Sequence, residues 1–167
     1  GLELGNDNQE RRLLEARDKL LAVRAGRVRP QRDDKVLADW NGLMIAALAK
    51  AGAVFGETAW VEAAEDVFGF IAETMTENGT EGGRLKHSWC AGRLQHPATV
   101  DDYACMARAA LVLLGVTGND DYLAQARGWV EVANAHYWDG DANGYFLSAD
   151  DTEDVIARTK AVHDNAV

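Results

Sequence analysis

Hydrophobic residues recur with the period of an α-helix in five stretches of the chain. The first stretch, over residues 8–24, places leucines on one face and charged residues between them, which predicts an amphipathic helix. These leucines are Leu13, Leu14, Leu20 and Leu21. Gly26 lies just beyond them and is expected to end the helix.

The other four stretches form two pairs. Residues 39–55 and 101–116 are apolar on nearly every side, which is typical of a helix that protein covers on most of its surface. Residues 59–75 and 121–137 each carry a single apolar stripe, which indicates a helix covered on one side. We expect each pair to form a hairpin of one inner and one outer helix.

The two hairpins are copies of one repeat, because adding 62 to a position in the first gives its partner in the second. Asp39 becomes Asp101, and Met75 becomes Tyr137. A further step takes Asp101 to His163, so a third unit is expected to begin near the end of the chain. Such repeats stack to bury their apolar faces. The chain is therefore expected to be a piece of a larger protein.

The predicted fold class is all-α, with helical hairpins of a partial (α/α)6 toroid and short β segments in the loops. An open, stacked superhelix is the alternative; the uniformly apolar inner helices favour the toroid. One domain over residues 1–167 is expected to contain a leading helix (8–24), hairpin one (39–77), an extended segment (83–95), hairpin two (100–138), a second extended segment (144–148) and the start of a third unit (159–167).

Composition narrows the range of partners. Asp and Glu outnumber Lys and Arg by 27 to 17, so the net charge is −10. Such a surface repels phosphate backbones and anionic lipid heads, and no apolar window is long enough to span a bilayer. We therefore expect no nucleic-acid partner and no membrane partner. The two cysteines do not form a CxxC pair, which favours a reducing, cytoplasmic location.

Neither a metal nor a cofactor is expected. His87, Cys90 and His96 match no strong zinc spacing, and a fourth ligand is not evident. The glycine-rich residues 79–83 lack the Lys-Ser/Thr of a phosphate-binding loop.

Several motifs carry a family resemblance. They are RPQRDDK at residues 29–35, DWNGLMIAALAKAG at 39–52, VDDYA at 100–104, GYF at 144–146, RTK at 158–160 and DNAV at 164–167. Together they resemble the C-terminal region of the thioredoxin-domain-containing proteins related to spermatogenesis-associated protein 20. The resemblance implies a thioredoxin-like domain elsewhere in the parent chain. It also implies a six-hairpin barrel similar to N-acylglucosamine 2-epimerase and cellobiose 2-epimerase.

The N-terminal ends of the inner helices are expected to share one rim of the toroid, where their unpaired N–H groups attract acceptors. Carboxylates, an amide and aromatic rings at that rim suit a small sugar. The predicted substrate-binding residues are Asp33, Asp34, Lys35, Trp40, Asn41, Arg84, His96, Asp101, Tyr103 and Lys160. The predicted catalytic residues are His163, Asp102 and Asp164. Of the other histidines, His87 and His96 can also reach the rim.

Structural roles compete with these assignments. Asp39 and Asp101 stand where helix N-caps stand. Residues 33–35 can form a local salt-bridged turn, and Trp40 and Tyr103 can fill the mouth of the core. Since only one of Asp101 and Asp102 can cap, we expect the other to face the rim.

The expected function is carbohydrate processing or binding, with an epimerase- or isomerase-like site. Removing and returning a proton beside a carbonyl suits histidine. A non-catalytic scaffold that accompanies the thioredoxin-like domain and a glycoside hydrolase are the alternatives. Because two hairpins leave inner-helix flanks without neighbours, the isolated chain is also expected to self-associate.

Overall fold

Five α-helices and four short β-strands form within residues 7–30, 32–77, 83–153 and 155–160, which are the residues that this computed structural model describes. The helices are α1 (Asp7–Ala25), α2 (Ala38–Phe55), α3 (Thr58–Thr74), α4 (Val100–Thr117) and α5 (Asp121–His136). The strands are β1 (Val36–Leu37), β2 (Thr76–Glu77), β3 (Arg84–Cys90) and β4 (Arg93–Pro97). The predicted class, all-α with short β segments, is confirmed.

The chain divides into two units, residues 1–33 and 34–167, where the sequence suggested one domain. The first unit contains α1, whose acidic first turn and basic last turn complement the helix dipole. No residue of α1 is buried, and Leu13 and Leu20 are each 71% exposed. Its apolar stripe therefore contributes little buried area to the fold.

In the second unit the helices form two layers. The inner helices α2 and α4 pack on each other, and α3 and α5 cover α2 and α4 respectively. Small residues such as Ala49 and Ala109 let the inner helices approach, while Phe68 and Trp129 fill the space under the outer helices. Burying this apolar surface is the main stabilising contribution.

The sequence repeat is also a structural repeat. Helix α4 begins and ends 62 residues after α2. Both helices stop at a left-handed glycine, Gly56 with φ of 73° and Gly118 with φ of 75°. In each case the glycine N–H donates to a carbonyl of the preceding turn, at Gly52 or Leu114. The left-handed conformation suits glycine because it has no Cβ.

Strand β3 lies at the centre of the β segments and pairs antiparallel with the other three strands. Its end pairs with β1, with Leu37 opposite Ser88. Since β1 continues directly into α2, this pairing fixes the N-terminal end of α2 beside β3. The second predicted extended segment, 144–148, is less regular: its one bridge joins Tyr145 to Trp138.

Two expectations about helix faces are wrong. Helix α2 packs on α3, α4, β1 and β3, and its remaining side is exposed in the described part of the chain: Trp40 is 65% exposed and Leu43 48%. The apolar stripe predicted over residues 121–137 includes Val130 at helical spacing from Ala126 and Ala133, but Val130 is exposed and Val132 is buried instead. Periodicity identified the helices but not which side of each apolar wheel meets a neighbour.

Among the described residues, no helix combines the length and apolar content that crossing a membrane requires.

The closest approach of the inner helices generates a stability prediction. A Cβ added at Gly42 would lie 2.8 Å from the Cys105 backbone carbonyl carbon, whereas one at Gly69 in α3 would meet nothing within 4 Å. We expect Gly42→Ala to lower the free energy of unfolding by about 1–3 kcal/mol through overpacking. Gly69→Ala should raise it by about 0.5–1 kcal/mol. Urea denaturation followed by circular dichroism measures both, and equal effects of the two substitutions would contradict the close packing.

Candidate functional site

The N-terminal ends of α2 and α4 are joined by the carboxylate of Asp102. Its Oδ1 accepts a hydrogen bond of 3.0 Å from the backbone N–H of Asp39, in the first turn of α2. The first N–H groups of a helix have no partner within the helix. Asp102 of α4 therefore supplies an acceptor that α2 lacks.

The same carboxylate caps its own helix. Oδ2 of Asp102 accepts hydrogen bonds from the Thr99 backbone N–H, at 2.7 Å, and from the Thr99 hydroxyl, at 3.1 Å. Thr99 is the N-cap of α4, and the two residues form a capping box. The N-cap of α2 is Leu37. Asp39 and Asp101 are therefore not the N-caps, so the capping role that the sequence suggested for them is wrong.

A third element reaches Asp102 from the sheet. Nδ1 of His87, in the middle of β3, lies 3.1 Å from Oδ1 and 3.0 Å from Oδ2. Since the ionised carboxylate only accepts hydrogen bonds, we assign the proton to Nδ1, which leaves Nε2 as the basic nitrogen. The His87 side chain is 28% exposed and that of Asp102 is 0% exposed. Solvent and solutes thus reach this pair through the histidine.

Burial dominates the electrostatics of the pair. It raises the pKa of Asp102, while the hydrogen bond from Thr99 and the charge of His87 act in the opposite direction. The carboxylate fixes the orientation of the imidazole that it contacts. The arrangement is chemically suited to accepting and returning a proton.

A cation is the other species that this cluster could hold. Ligand atoms of Asp39, His87 and Asp102 lie within 4.8 Å of one another. However, the two oxygens of Asp102 already accept hydrogen bonds from Asp39, Thr99 and His87. A metal would have to displace part of this network, so the donor set fits a hydrogen-bonded pair better than a metal centre.

Two other predicted residues lie next to the cluster. Trp40, with its largely exposed indole, immediately follows Asp39, and its backbone N–H donates 2.7 Å to the Asp39 carboxylate. The amide of Asn41 donates 2.7 Å to the Leu37 carbonyl, within the first turn of α2. Asn41 thus supports the start of the helix.

Tyr103 lies in the core beneath the site. Its hydroxyl accepts a 3.0 Å hydrogen bond from the Leu85 backbone, and its ring packs 5.4 Å from that of Tyr137. Burial raises the pKa of the Tyr103 hydroxyl. This contact anchors β3 to α4, and so helps to hold His87 against Asp102.

Two predicted basic residues are engaged elsewhere. Arg84 forms a two-point ion pair with Asp151, both distances being 2.8 Å. Lys160 lies 2.7 Å from Asp139 and donates to the Asn143 carbonyl. Both tie the loop after α5 to neighbouring segments.

The remaining predicted residues fall into three groups. Asp101 and His96 are exposed, on α4 and β4. Asp34 and Lys35 are exposed ahead of β1, and Asp33 belongs to the first unit. His163 and Asp164 lie outside the described residues.

The sequence gives little indication that His87 belongs to the site. It was one of several histidines within reach of the rim, and nothing in its neighbours marks it. The strand β3 could have indicated it, because a strand that leads back toward the inner helices places its middle residue beside the start of α4. A second histidine–carboxylate pair, His136 with Asp150 at 2.8 Å, is more exposed and lies at the end of α5.

Comparison with known proteins places the chain among curated relatives, although no family model matches it. It is 33% identical over 157 residues to an uncharacterised protein of Caenorhabditis elegans, covering 91% of this chain and 21% of that protein. It is 31% identical over 158 residues to spermatogenesis-associated protein 20 of Rattus norvegicus, covering 89% and 20%. The chain thus spans about a fifth of the length of these relatives.

Solved structures agree on the fold. Cellobiose 2-epimerase from Spirochaeta thermophila superposes with a TM-score of 0.59 and 13% identity, over 68% of this chain and 28% of the enzyme. A GH76 α-mannanase from Bacteroides thetaiotaomicron gives 0.57 and 17%, over 70% and 32%. At these identities the likeness shows the fold, which is part of an α/α barrel.

The contacts of Asp102 generate the second prediction. Asp102→Asn replaces one acceptor oxygen with a donor that faces N–H groups, so we expect the free energy of unfolding to fall by about 2–4 kcal/mol. The control is Asp101→Asn, an exposed neighbour, which should change it by less than about 0.5 kcal/mol. Urea denaturation measures both, and equal stability of the two variants would show that the Asp102 contacts contribute nothing.

Proposed function

We propose, from the premise that this chain belongs to the family of proteins related to spermatogenesis-associated protein 20, that it forms part of a carbohydrate-processing α/α barrel. The proposed reaction class is sugar epimerisation or isomerisation. The proposed site lies at the N-terminal ends of α2 and α4, where His87 meets Asp102. The contact between a partly exposed histidine and a fully buried carboxylate is the observation that carries the proposal.

Epimerisation beside a carbonyl begins with loss of a proton from carbon 2. His87 Nε2 takes that proton, and the electron pair of the C–H bond moves toward the carbonyl to give an enediolate. Asp102 stabilises the resulting imidazolium through Nδ1–H, so it acts as a positioning residue. Return of a proton to the opposite face of carbon 2 completes the reaction. His163 and Asp164 stay proposed for that second step.

Residues around the pair supply the features of a sugar site. The exposed Trp40 indole offers a flat surface to sugar C–H groups, and the Asp39 carboxylate beside it accepts hydrogen bonds from hydroxyls. The other predicted binding residues around the inner-helix ends remain part of the proposal.

The hydrolase alternative receives less support from this geometry. A glycosidase needs two carboxylates on either side of the scissile bond. Asp102 has no exposed surface to offer to a substrate, and its oxygens are engaged by three residues. A non-catalytic scaffold is the second candidate, and the exposed apolar face of α2 favours it.

Proton NMR in D2O, with aldoses, N-acylhexosamines and disaccharides, tests the proposal. We expect the carbon-2 proton signal of one sugar to disappear. His87→Gln should slow this exchange by about 10²-fold or more, since general base catalysis contributes about that much. Asp102→Asn should lower kcat more than it raises KM, because it acts through His87.

The matched control is His136→Gln, which removes the exposed histidine of the other histidine–carboxylate pair. It should leave the exchange rate unchanged. Saturation transfer in the same samples reports sugar binding without chemistry. Absence of both binding and exchange for every sugar would favour the scaffold instead.

A further inference from the structure

The carboxylate of Asp39 lies next to the proposed base. One of its oxygens and a nitrogen of the His87 imidazole are within 4.8 Å of each other, and both are within that distance of an Asp102 oxygen. Asp39 is partly exposed, as His87 is, whereas the Asp102 side chain is fully buried. Solutes that reach the imidazole therefore meet the Asp39 carboxylate as well.

Asp102 holds both of these groups in place. Its Oδ1 accepts the backbone N–H of Asp39, and both of its oxygens lie within 3.1 Å of His87 Nδ1. The first turn of α2 and the imidazole are therefore fixed relative to each other before a substrate arrives. Reacting groups that are held in this way need little reorganisation during catalysis.

The side chain of Asp39 has one oxygen to offer. The Trp40 backbone N–H donates 2.7 Å to Oδ1, and no described residue donates a hydrogen bond to Oδ2. The first turn of α2 is a favourable place for its negative charge, because the N-terminal end of a helix carries partial positive charge. Oδ2 can therefore accept a proton from a hydroxyl group of a bound molecule.

We propose that Asp39 is a second catalytic residue and that the site interconverts aldoses with ketoses. This inference rests on the proposed function, since it needs His87 to remove the proton from carbon 2. It adds the transfer of a second proton, between two oxygens of the substrate. The substrate class is therefore aldoses with a free hydroxyl on carbon 2.

The two side chains divide the proton transfers. Nε2 of His87 takes the proton of carbon 2, and the electron pair of that bond forms a double bond to carbon 1, which leaves the negative charge on O1. Asp39 then takes the proton of the carbon-2 hydroxyl, whose O–H electron pair forms the new carbonyl at carbon 2. The electron pair of the double bond takes the imidazolium proton at carbon 1, and Asp39 gives its proton to O1. Carbon 1 is thereby reduced and carbon 2 oxidised within one molecule.

A variant of Asp39 separates this reaction from the one that His87 performs without it. Exchange of the carbon-2 proton with solvent needs only the first step and its reversal. Formation of a ketose also needs the transfer from the carbon-2 hydroxyl to O1. Loss of the Asp39 carboxylate should therefore affect the ketose and spare the exchange.

Proton and carbon-13 NMR of the full-length protein in D2O, with D-glucose, D-mannose and cellobiose as probes, tests the inference. We expect the unaltered protein to form a ketose that carries deuterium at carbon 1. Asp39→Asn keeps an acceptor for the Trp40 N–H but takes up no proton, so it should slow ketose formation by about 10²-fold or more. Carbon-2 exchange should stay within about threefold of its unaltered rate. Asp39→Glu, which restores a carboxylate, should regain part of the ketose formation.

The matched control is Asp121→Asn, the same change in the first turn of the outer helix α5, which should alter neither rate. His87→Gln should slow both reactions. Carbon-2 exchange without any ketose in the unaltered protein would overturn the inference and leave the proposed function standing. An equal effect of Asp39→Asn on both rates, or no effect on either, would do the same. Absence of exchange for every probe would overturn the proposed function and this inference together.

Discussion

One buried carboxylate joins three elements of the fold. One oxygen of Asp102 accepts a hydrogen bond from the first turn of α2, and the other accepts from Thr99, the N-cap of α4. The imidazole of His87 links the same carboxylate to β3. A fully buried carboxylate is unfavourable unless its oxygens accept hydrogen bonds. Because the donors come from three segments, the carboxylate is stabilised only when all three segments are in place. The position of the inner helices and the position of the histidine therefore depend on each other.

The second constraint is the distance between the inner helices. Gly42 brings the backbone of α2 against α4, and this short approach puts the Asp39 N–H within reach of Asp102. A longer distance would leave the Asp39 N–H without this acceptor and would remove one of the donors to the carboxylate. Packing of small residues and polar pairing at the helix ends thus support the same geometry.

The helices, their pairing and the repeat were predictable from the sequence, because a helical period and a 62-residue offset depend only on residue order. The site was less accessible. Because only one of two adjacent aspartates can cap, the sequence predicts that Asp102 faces the rim, whereas Asp102 takes part in the capping box of α4 and is buried. His87 gave no local signal, since its partner comes from another element and its position depends on how β3 pairs with β1. Tertiary contacts of this kind cannot be inferred from periodicity.

Two tyrosine side chains cross the core beneath the site. The Tyr103 hydroxyl accepts a hydrogen bond from the backbone of β3, and the Tyr137 hydroxyl donates to the Ala98 carbonyl, in the segment that leads into α4. Both side chains are buried, so the loss of either hydroxyl would leave a backbone group near the start of α4 or in β3 without its partner. The surroundings of His87 therefore depend on a residue at the end of the outer helix α5 as well as on the inner layer.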